Sequence, residues 1–423
     1  MPERVPQSGG TRPQLPCGGV TAARQQAKEN ELEFPSGFVW GVATAAHQIE
    51  GGNVNNDWWA WEHDPASGTV EPSGDACDSF HRWREDVRLV ADMGLGAYRF
   101  SLEWSRIEPA EGEFSLAALE HYRRVCAACH GHGILPVVTF HHFTTPRWVA
   151  ARGGWTEPAT AELFTRFCAR ATAHLGDLVA RSCTLNEPNI VAAFGHRWGL
   201  FPPGLREPDM HLRANDVMVA AHRLAVEAIK SGPGCSPVGL TLAMQDYQAV
   251  DGGEAQLDAE RGAMEDVFLD AARADDFLGV QTYTRLRIGP DGMRGPEPGV
   301  PSTQMGYEFW PEALEATLRR AWEVAQHVPL IVTENGISTA NDADRMVYVE
   351  RALRGVLNCL GDGIDVRGYV YWSLLDNFEW VFGYRPTFGL IAVDRATQLR
   401  CVKSSAYWLG EIARANRLAA AES

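Results

Sequence analysis

Two glutamates, each at the end of a short apolar run, have the residue types and setting for paired acid–base chemistry. Thr184-Leu-Asn-Glu-Pro-Asn189 holds Glu187 between Asn186 and Pro188, directly after the run Ser182-Cys-Thr-Leu185. A carboxyl group where a buried strand breaks into a loop sits at the edge of an apolar wall. Desolvation there disfavours the charged form, which helps a general acid keep its proton near neutral pH. Pro329-Leu-Ile-Val-Thr-Glu334-Asn-Gly336 repeats the design: β-branched strand, Glu, turn residue. One such glutamate says little, because structural glutamates are common. Two of them on two strand ends are what glycoside hydrolysis needs, one as acid/base and the other as nucleophile or base.

The elements that would bring them together are legible from Phe34 onward, where short apolar runs alternate with amphipathic helical patterns. Strands are expected at Val39–Ala43, Ala97–Ser101, Ile134–Phe140, Ser182–Leu185, Val238–Leu242, Phe277–Gln281, Leu330–Thr333 and Gly368–Trp372. Helical patterns fall near 78–93, 116–131, 160–175, 212–230, 256–273, 311–326, 343–360 and 402–415. Strict alternation argues a parallel sheet, and eight strands argue closure, so the expected fold class is α/β, a single (β/α)8 TIM barrel over residues 31–418. A doubly wound open sheet usually has fewer strands and a Gly-rich first turn, and neither G-x-G-x-x-G nor a Walker pattern occurs. Glu187 then follows the fourth strand and Glu334 the seventh. Barrel active sites lie at the C-terminal ends of strands, so both carboxylates should enter one cleft. The Gly/Pro-rich segment 289–306 falls between the sixth strand and sixth helix and reads as a surface loop at the barrel mouth.

Composition narrows the partners. The 423 residues carry a formal charge of −16, which disfavours nucleic acid and anionic substrates, and only Lys28, Lys230 and Lys403 are lysines. Residues 1–30 mix Pro, Gly, Gln, Arg and Glu without periodicity and read as a disordered arm, with 419–423 as a tail. The arm holds no run of roughly 7–15 apolar residues, so no secretory signal is expected. No stretch reaches the roughly 18 apolar residues of a membrane span. Nine scattered cysteines, an odd number, suit a reducing cytoplasm better than a disulfide framework. Cys126-Ala-Ala-Cys129-His130 spells a haem-attachment motif, but its apolar spacing with Leu119 and Tyr122 places the cysteines on the core face of a helix. The cluster His130, His132, His141 and His142 lacks a Cys or Glu at zinc-ligand spacing. No metal and no cofactor is expected.

With these residues in view, the chain from about Phe34 to Trp408 resembles glycoside hydrolase family 1, the retaining β-glucosidases and β-glycosidases. The resemblance rests on Phe38-Val-Trp-Gly-Val-Ala-Thr-Ala-Ala-His-Gln-Ile-Glu-Gly51, Tyr98-Arg-Phe-Ser-Leu-Glu-Trp-Ser-Arg-Ile107, Thr184–Asn189, Val332–Gly336 and Tyr371-Trp-Ser-Leu-Leu-Asp-Asn-Phe-Glu-Trp380. It implies hydrolysis of a small uncharged β-glycoside by double displacement. Glu334 would be the nucleophile and Glu187 the acid/base, its pKa raised by anionic Glu334. Arg99 and Tyr283 would support the nucleophile. Gln48 and Glu379 would hold the 3-, 4- and 6-hydroxyls, His141 the 3-hydroxyl and Asn186 the 2-hydroxyl, with Trp372 and Trp380 as aromatic faces. Three segments depart from the family spelling: His141-His142-Phe143 where His-Trp is common, Gln281 where Asn is usual, and Phe388 in a longer Arg385-to-Gly389 segment. These make His142, Gln281 and Phe388 secondary candidates. The alternatives are a transglycosylase using the same carboxylates, a phospho-glycosidase, disfavoured by Glu379 where a phosphate would sit, and a binding-only barrel.

Overall fold

The computed structural model describes residues 33–419, so the expected arm at 1–30 lies outside the described residues, as does all of the tail beyond 419. Eight strands close into one parallel barrel: β1 (Val39–Ala43), β2 (Ala97–Ser101), β3 (Leu135–His142), β4 (Arg181–Asn186), β5 (Val238–Ala243), β6 (Phe277–Gln281), β7 (Leu330–Asn335) and β8 (Val366–Trp372). Each pairs with its sequence neighbour, and β8 closes on β1 with Val39 opposite Gly368 and Ala43 opposite Trp372. Such strands are covered on both faces, which is why they read as near-continuous apolar runs.

The outer layer holds α1 (Ser79–Met93), α2 (Leu116–Gly131), α3 (Ala159–Leu175) and α4 (Pro208–Lys230). It continues through an interrupted helical stretch over 254–271, then α5 (Ala313–Val324), α6 (Asp342–Gly361) and α7 (Ser404–Ala415). Local chemistry sets their starts. Ser115 caps α2 by accepting from the Ala118 amide at 3.2 Å, and Asn341 caps α6 through Ala343. Cys126 and Cys129 are buried on the inner face of α2, as their spacing implied. No helix among the described residues is long and apolar enough to cross a membrane.

Polarity inside the barrel changes with height. The N-terminal ends are plugged by Val39, Ala97, Val137, Cys183, Phe277 and Ile331. One layer higher the inward residues are Arg99, Thr139, Thr241 and Thr333, packed so closely that a Cβ on Gly279 would lie 2.6 Å from both Thr241 and Thr333. An apolar floor therefore carries a polar, dry tier at the C-terminal face. The loop after β6 departs from the expected plain surface loop. Its segments Arg285–Gly289 and Gly292–Met293 form a small sheet with Asp246–Ala249 beside the barrel mouth.

Candidate active site

The tops of three strands break the two-residue alternation, and those breaks aim the polar side chains. On β7, Ile331 and Thr333 face the interior, so strict alternation would leave Glu334 outside with Val332. The register with β6 shifts between Val332 and Glu334, and the carboxylate turns into the cleft. On β4 the register with β5 likewise shifts between Cys183 and Asn186, which turns Asn186 inward. Glu187 follows with left-handed backbone (φ 45°, ψ 57°), an uncommon state for a residue with a side chain, and Pro188 starts a short helix behind it.

A single guanidinium organises the floor. Arg99 is fully buried and donates from Nη1 to Glu334 Oε1 at 2.6 Å, from Nη2 to Asn186 Oδ1 at 2.6 Å and from Nε to Thr139 Oγ1 at 3.1 Å. Tyr283 donates its hydroxyl to the other oxygen of Glu334, also at 2.6 Å. Asn186 Oδ1 accepts from Gln281 Nε2 (3.0 Å) and Thr241 Oγ1 (3.2 Å) as well. Guanidinium can only donate, so the orientation of the Asn186 amide is fixed, and Nδ2 is the atom 3.2 Å from His142 Nε2. That ring nitrogen therefore accepts. Burial, then Arg99, push the His142 pKa well down, so the ring is neutral with its proton on Nδ1, a buried donor without a partner.

The two glutamates differ in their partners. Among the described residues the Glu187 side chain accepts no hydrogen bond, whereas Glu334 holds two short ones. Burial and then the Glu334 charge push the Glu187 carboxyl well above the usual range. Burial raises Glu334 too, but Arg99, Tyr283 and Gln281 all pull the other way. Glu379 is pushed up to about 8 by burial and by Glu334.

These groups surround a cavity of about 240 Å³. Glu187, Glu334, Tyr283, Gln48, Glu379 and His142 line it, as do Trp372, Trp380 and Phe388. Gln48 donates to Phe378 O (2.9 Å) and Asn377 Oδ1 (3.1 Å) and leaves its own Oε1 buried and unpaired. The His142 ring lies near-parallel to Trp372 (5.8 Å, 15°) and to Trp380 (6.2 Å, 12°). Arg99 and Gln281 stand behind this wall and act through their hydrogen bonds, and the Asn186 Nδ2 lies beside His142 at the wall.

His141 is the correction. Expected at the cleft, it turns outward, packing edge-on against Trp155 (5.0 Å) and Phe164 (6.1 Å), with Nε2 3.4 Å from Thr145 Oγ1. Thr139 and Cys183 face inward, so alternation would send His141 and its β4 neighbour Leu185 inward too. Both strand tops twist, and His142 and Asn186 take the inward places instead.

Other contributors were missed from sequence. Met305 and Tyr307 reach the cavity from the irregular segment after β6, and Phe194, Leu200 and Phe382 form an apolar mouth. Phe382 and Leu200 are 40% and 44% exposed, so an apolar group leaving this mouth has a surface to rest on. His47 stacks on Trp380 (5.7 Å, 10°) from behind. Asn56 Oδ1 accepts from the Trp59 amide, so its Nδ2 donates to His47 Nδ1 (3.0 Å), and His47 Nε2 donates to Glu62 (3.1 Å). A fixed neutral tautomer thus backs the indole. Only the Asn56-Asp57 helix start was readable as a local signal.

A closed (β/α)8 barrel with two buried glutamates at the tops of β4 and β7, one clamped by arginine and tyrosine and the other free, is of the glycosidase class. The family model of glycosyl hydrolase family 1 matches residues 30–276 and 273–418, and the chain belongs to that family. β-Glucosidase A of Thermotoga maritima is 30% identical, covering 92% of this chain and 99% of its own length. The β-glucosidase of Agrobacterium sp. is 33% identical over 90% of this chain and 95% of its own. The crystal structure of β-glycosidase BGL167 superposes with a TM-score of 0.85 at 50% identity, covering 92% of this chain and 99% of that one. The chain is a retaining β-glycosidase of the β-glucosidase type.

Proposed function

We propose that the chain cleaves a terminal β-glucosyl unit from a small, uncharged glycoside with an apolar aglycone, with Glu334 as nucleophile and Glu187 as acid/base. The observation that carries the assignment is the hydrogen-bond asymmetry of the two carboxylates. Glu334, held by Arg99 and Tyr283, attacks the anomeric carbon as Glu187 gives its proton to the leaving oxygen. Glu187, now an anion, takes a proton from water. The water oxygen bonds to the anomeric carbon and the ester to Glu334 breaks.

The unpaired Gln48 Oε1 and His142 Nδ1, with Glu379, supply an acceptor, a donor and a carboxyl for sugar hydroxyls, and Trp372 and Trp380 supply faces for C–H surfaces. Asn186 Nδ2, beside His142, is the candidate partner of the 2-hydroxyl. The role first given to His141 passes to His142. Phe194, Leu200 and Phe382 would receive the aglycone. Residues 31–418 would act as one catalytic unit. The location would be cytoplasmic, in keeping with eight described cysteines that are all free.

Glu334→Ala should abolish release of p-nitrophenol from its β-glucoside, and added azide should restore it with an α-glucosyl azide as product. Wild-type-like turnover in that variant would overturn the assignment.

A further inference from the structure

A second cavity, of about 460 Å³, lies beside the first, between the loops after β1, β3 and β4. Its size falls within the roughly 300–1,000 Å³ typical of small-molecule sites. Trp58, Trp155, Phe143 and Phe201 give it aromatic walls. None of the groups given a catalytic or sugar-binding role lines it.

Its polar atoms are specific. His196 is 2% exposed, and its Nδ1 lies 3.1 Å from the Ala192 carbonyl. A carbonyl only accepts, so Nδ1 carries the proton. Burial lowers the ring's pKa, and the neutral Nε2 is left as a buried acceptor with no partner. Asp57 uses Oδ1 to accept from the amides of Trp58 and Thr145, both at 2.8 Å, while Oδ2 takes no hydrogen bond among the described residues. Burial raises the Asp57 carboxyl to about 7, which weakens its charge at neutral pH, and Arg147 stands exposed at the rim. An acceptor without a donor at His196, a carboxyl oxygen without a partner at Asp57 and aromatic faces call for an uncharged ligand rich in O–H groups with an apolar C–H face. That is the chemistry of a sugar.

We propose that this cavity is a second saccharide site, taking glucose or the glucosyl end of a glycoside without cleaving it. It is coupled to the cleft through a shared wall. Phe143 and Phe201 line both cavities. Phe143 is 4.9 Å from Trp380 and 5.5 Å from Phe201, which is 4.6 Å from Trp58. A sugar against Trp58 and Phe201 therefore braces the residues that back the catalytic indole.

The choice of sugar rests on the proposed function, so the test separates the two. The enzyme is first treated with 2,4-dinitrophenyl 2-deoxy-2-fluoro-β-glucoside, and mass spectrometry checks for one adduct on Glu334. Absence of the adduct would sink the catalytic assignment but not this one, because glucose titration of the untreated protein still reads the cavity. With the cleft blocked, calorimetric titration with glucose should show one equivalent bound. Ala151→Trp, which fills the cavity from an exposed position on its rim, should weaken that binding at least tenfold. Asp57→Asn, which keeps the Oδ1 acceptor, should weaken it several-fold. No heat from the trapped wild type, or equal affinity in both variants, means a solvent-filled cavity only and overturns the proposal. The shared wall adds a kinetic consequence: added glucose should alter wild-type turnover in a way that Ala151→Trp removes. An identical glucose response in the two proteins would overturn the coupling.

Discussion

Removing one hydroxyl, in Tyr283→Phe, isolates what holds the proposed nucleophile, Glu334, ionised. The ring stays, with its edge-on contact to Phe388 at 5.8 Å, and only the 2.6 Å hydrogen bond to Glu334 Oε2 is lost. Hydrogen bonds to charged groups contribute about 1.5–3 kcal/mol, more than neutral ones. Arg99 remains on Oε1, so the carboxylate keeps its cation but loses its second donor. Burial already pushes the Glu334 carboxyl up, and Tyr283 is one of the groups opposing that push, so its loss raises the folded pKa further. At about 1.4 kcal/mol per pH unit, the acid limb of kcat/KM should move up by about one to two pH units. The rate of sugar transfer to Glu334 should fall about 10- to 150-fold near neutrality. The assay is a pH profile of kcat/KM on two β-glucosides, one with 2,4-dinitrophenol and one with p-nitrophenol as leaving group. Both should suffer alike, because attack by Glu334 is common to them. An unmoved acid limb with near-full activity would refute the argument. So would a loss confined to the poorer leaving group, which would place Tyr283 with the acid instead.

Glu187→Gln should spare transfer from the dinitrophenyl glucoside, cripple it for the p-nitrophenyl one and remove the basic limb of the profile, because the raised carboxyl supplies that limb. A basic limb that survives would assign the acid role elsewhere. Glu379→Gln should raise KM and change the pH dependence of stability. A carboxyl at about 8 in the fold and ordinary when unfolded holds its proton in the fold while the unfolded chain releases it. Stability is thus fully present at low pH and is lost as pH rises toward about 8, by at most about 5 kcal/mol. The variant should melt higher than wild type at pH 9 but not at pH 4, and equal melting at both would refute the shift.

Much of the scaffold was legible because each barrel strand is an uninterrupted apolar run between helical patterns. Ile134–Phe140 against the observed Leu135–His142, and 212–230 against Pro208–Lys230, show the usual looseness at element ends. The two glutamates were legible because two carboxylates ending two strands of one barrel must enter one cleft. What was hidden depends on departures from period two. Nothing in His141-His142 says which ring turns inward; that follows from the twist shared by the tops of β3 and β4. Met305 and Tyr307 were hidden for another reason. Their segment is placed by long-range contacts, with the Met305 amide on Ser338 Oγ at 3.1 Å and the Gln304 amide on Ser338 O at 3.2 Å. Loop composition could mark the segment as belonging to the mouth but not which residues enter it.

The split between two chemically identical side chains therefore has its origin on β2, in Arg99. Its position is fixed by burial on the apolar floor and by Thr139 on the neighbouring strand. From there one nitrogen biases Glu334 toward the anion, and a second fixes the Asn186 amide, which in turn leaves the His142 proton on the nitrogen that has no protein partner. Glu187, one residue beyond Asn186, has left-handed backbone and takes no hydrogen bond from Arg99, whose charge still pulls its carboxyl down. It feels the same burial and, in addition, the charge that Arg99 has stabilised next door. The cation thus pulls both carboxyls down, Glu334 by direct contact and Glu187 from a distance, and at Glu187 burial and the anion it stabilises next door outweigh that pull.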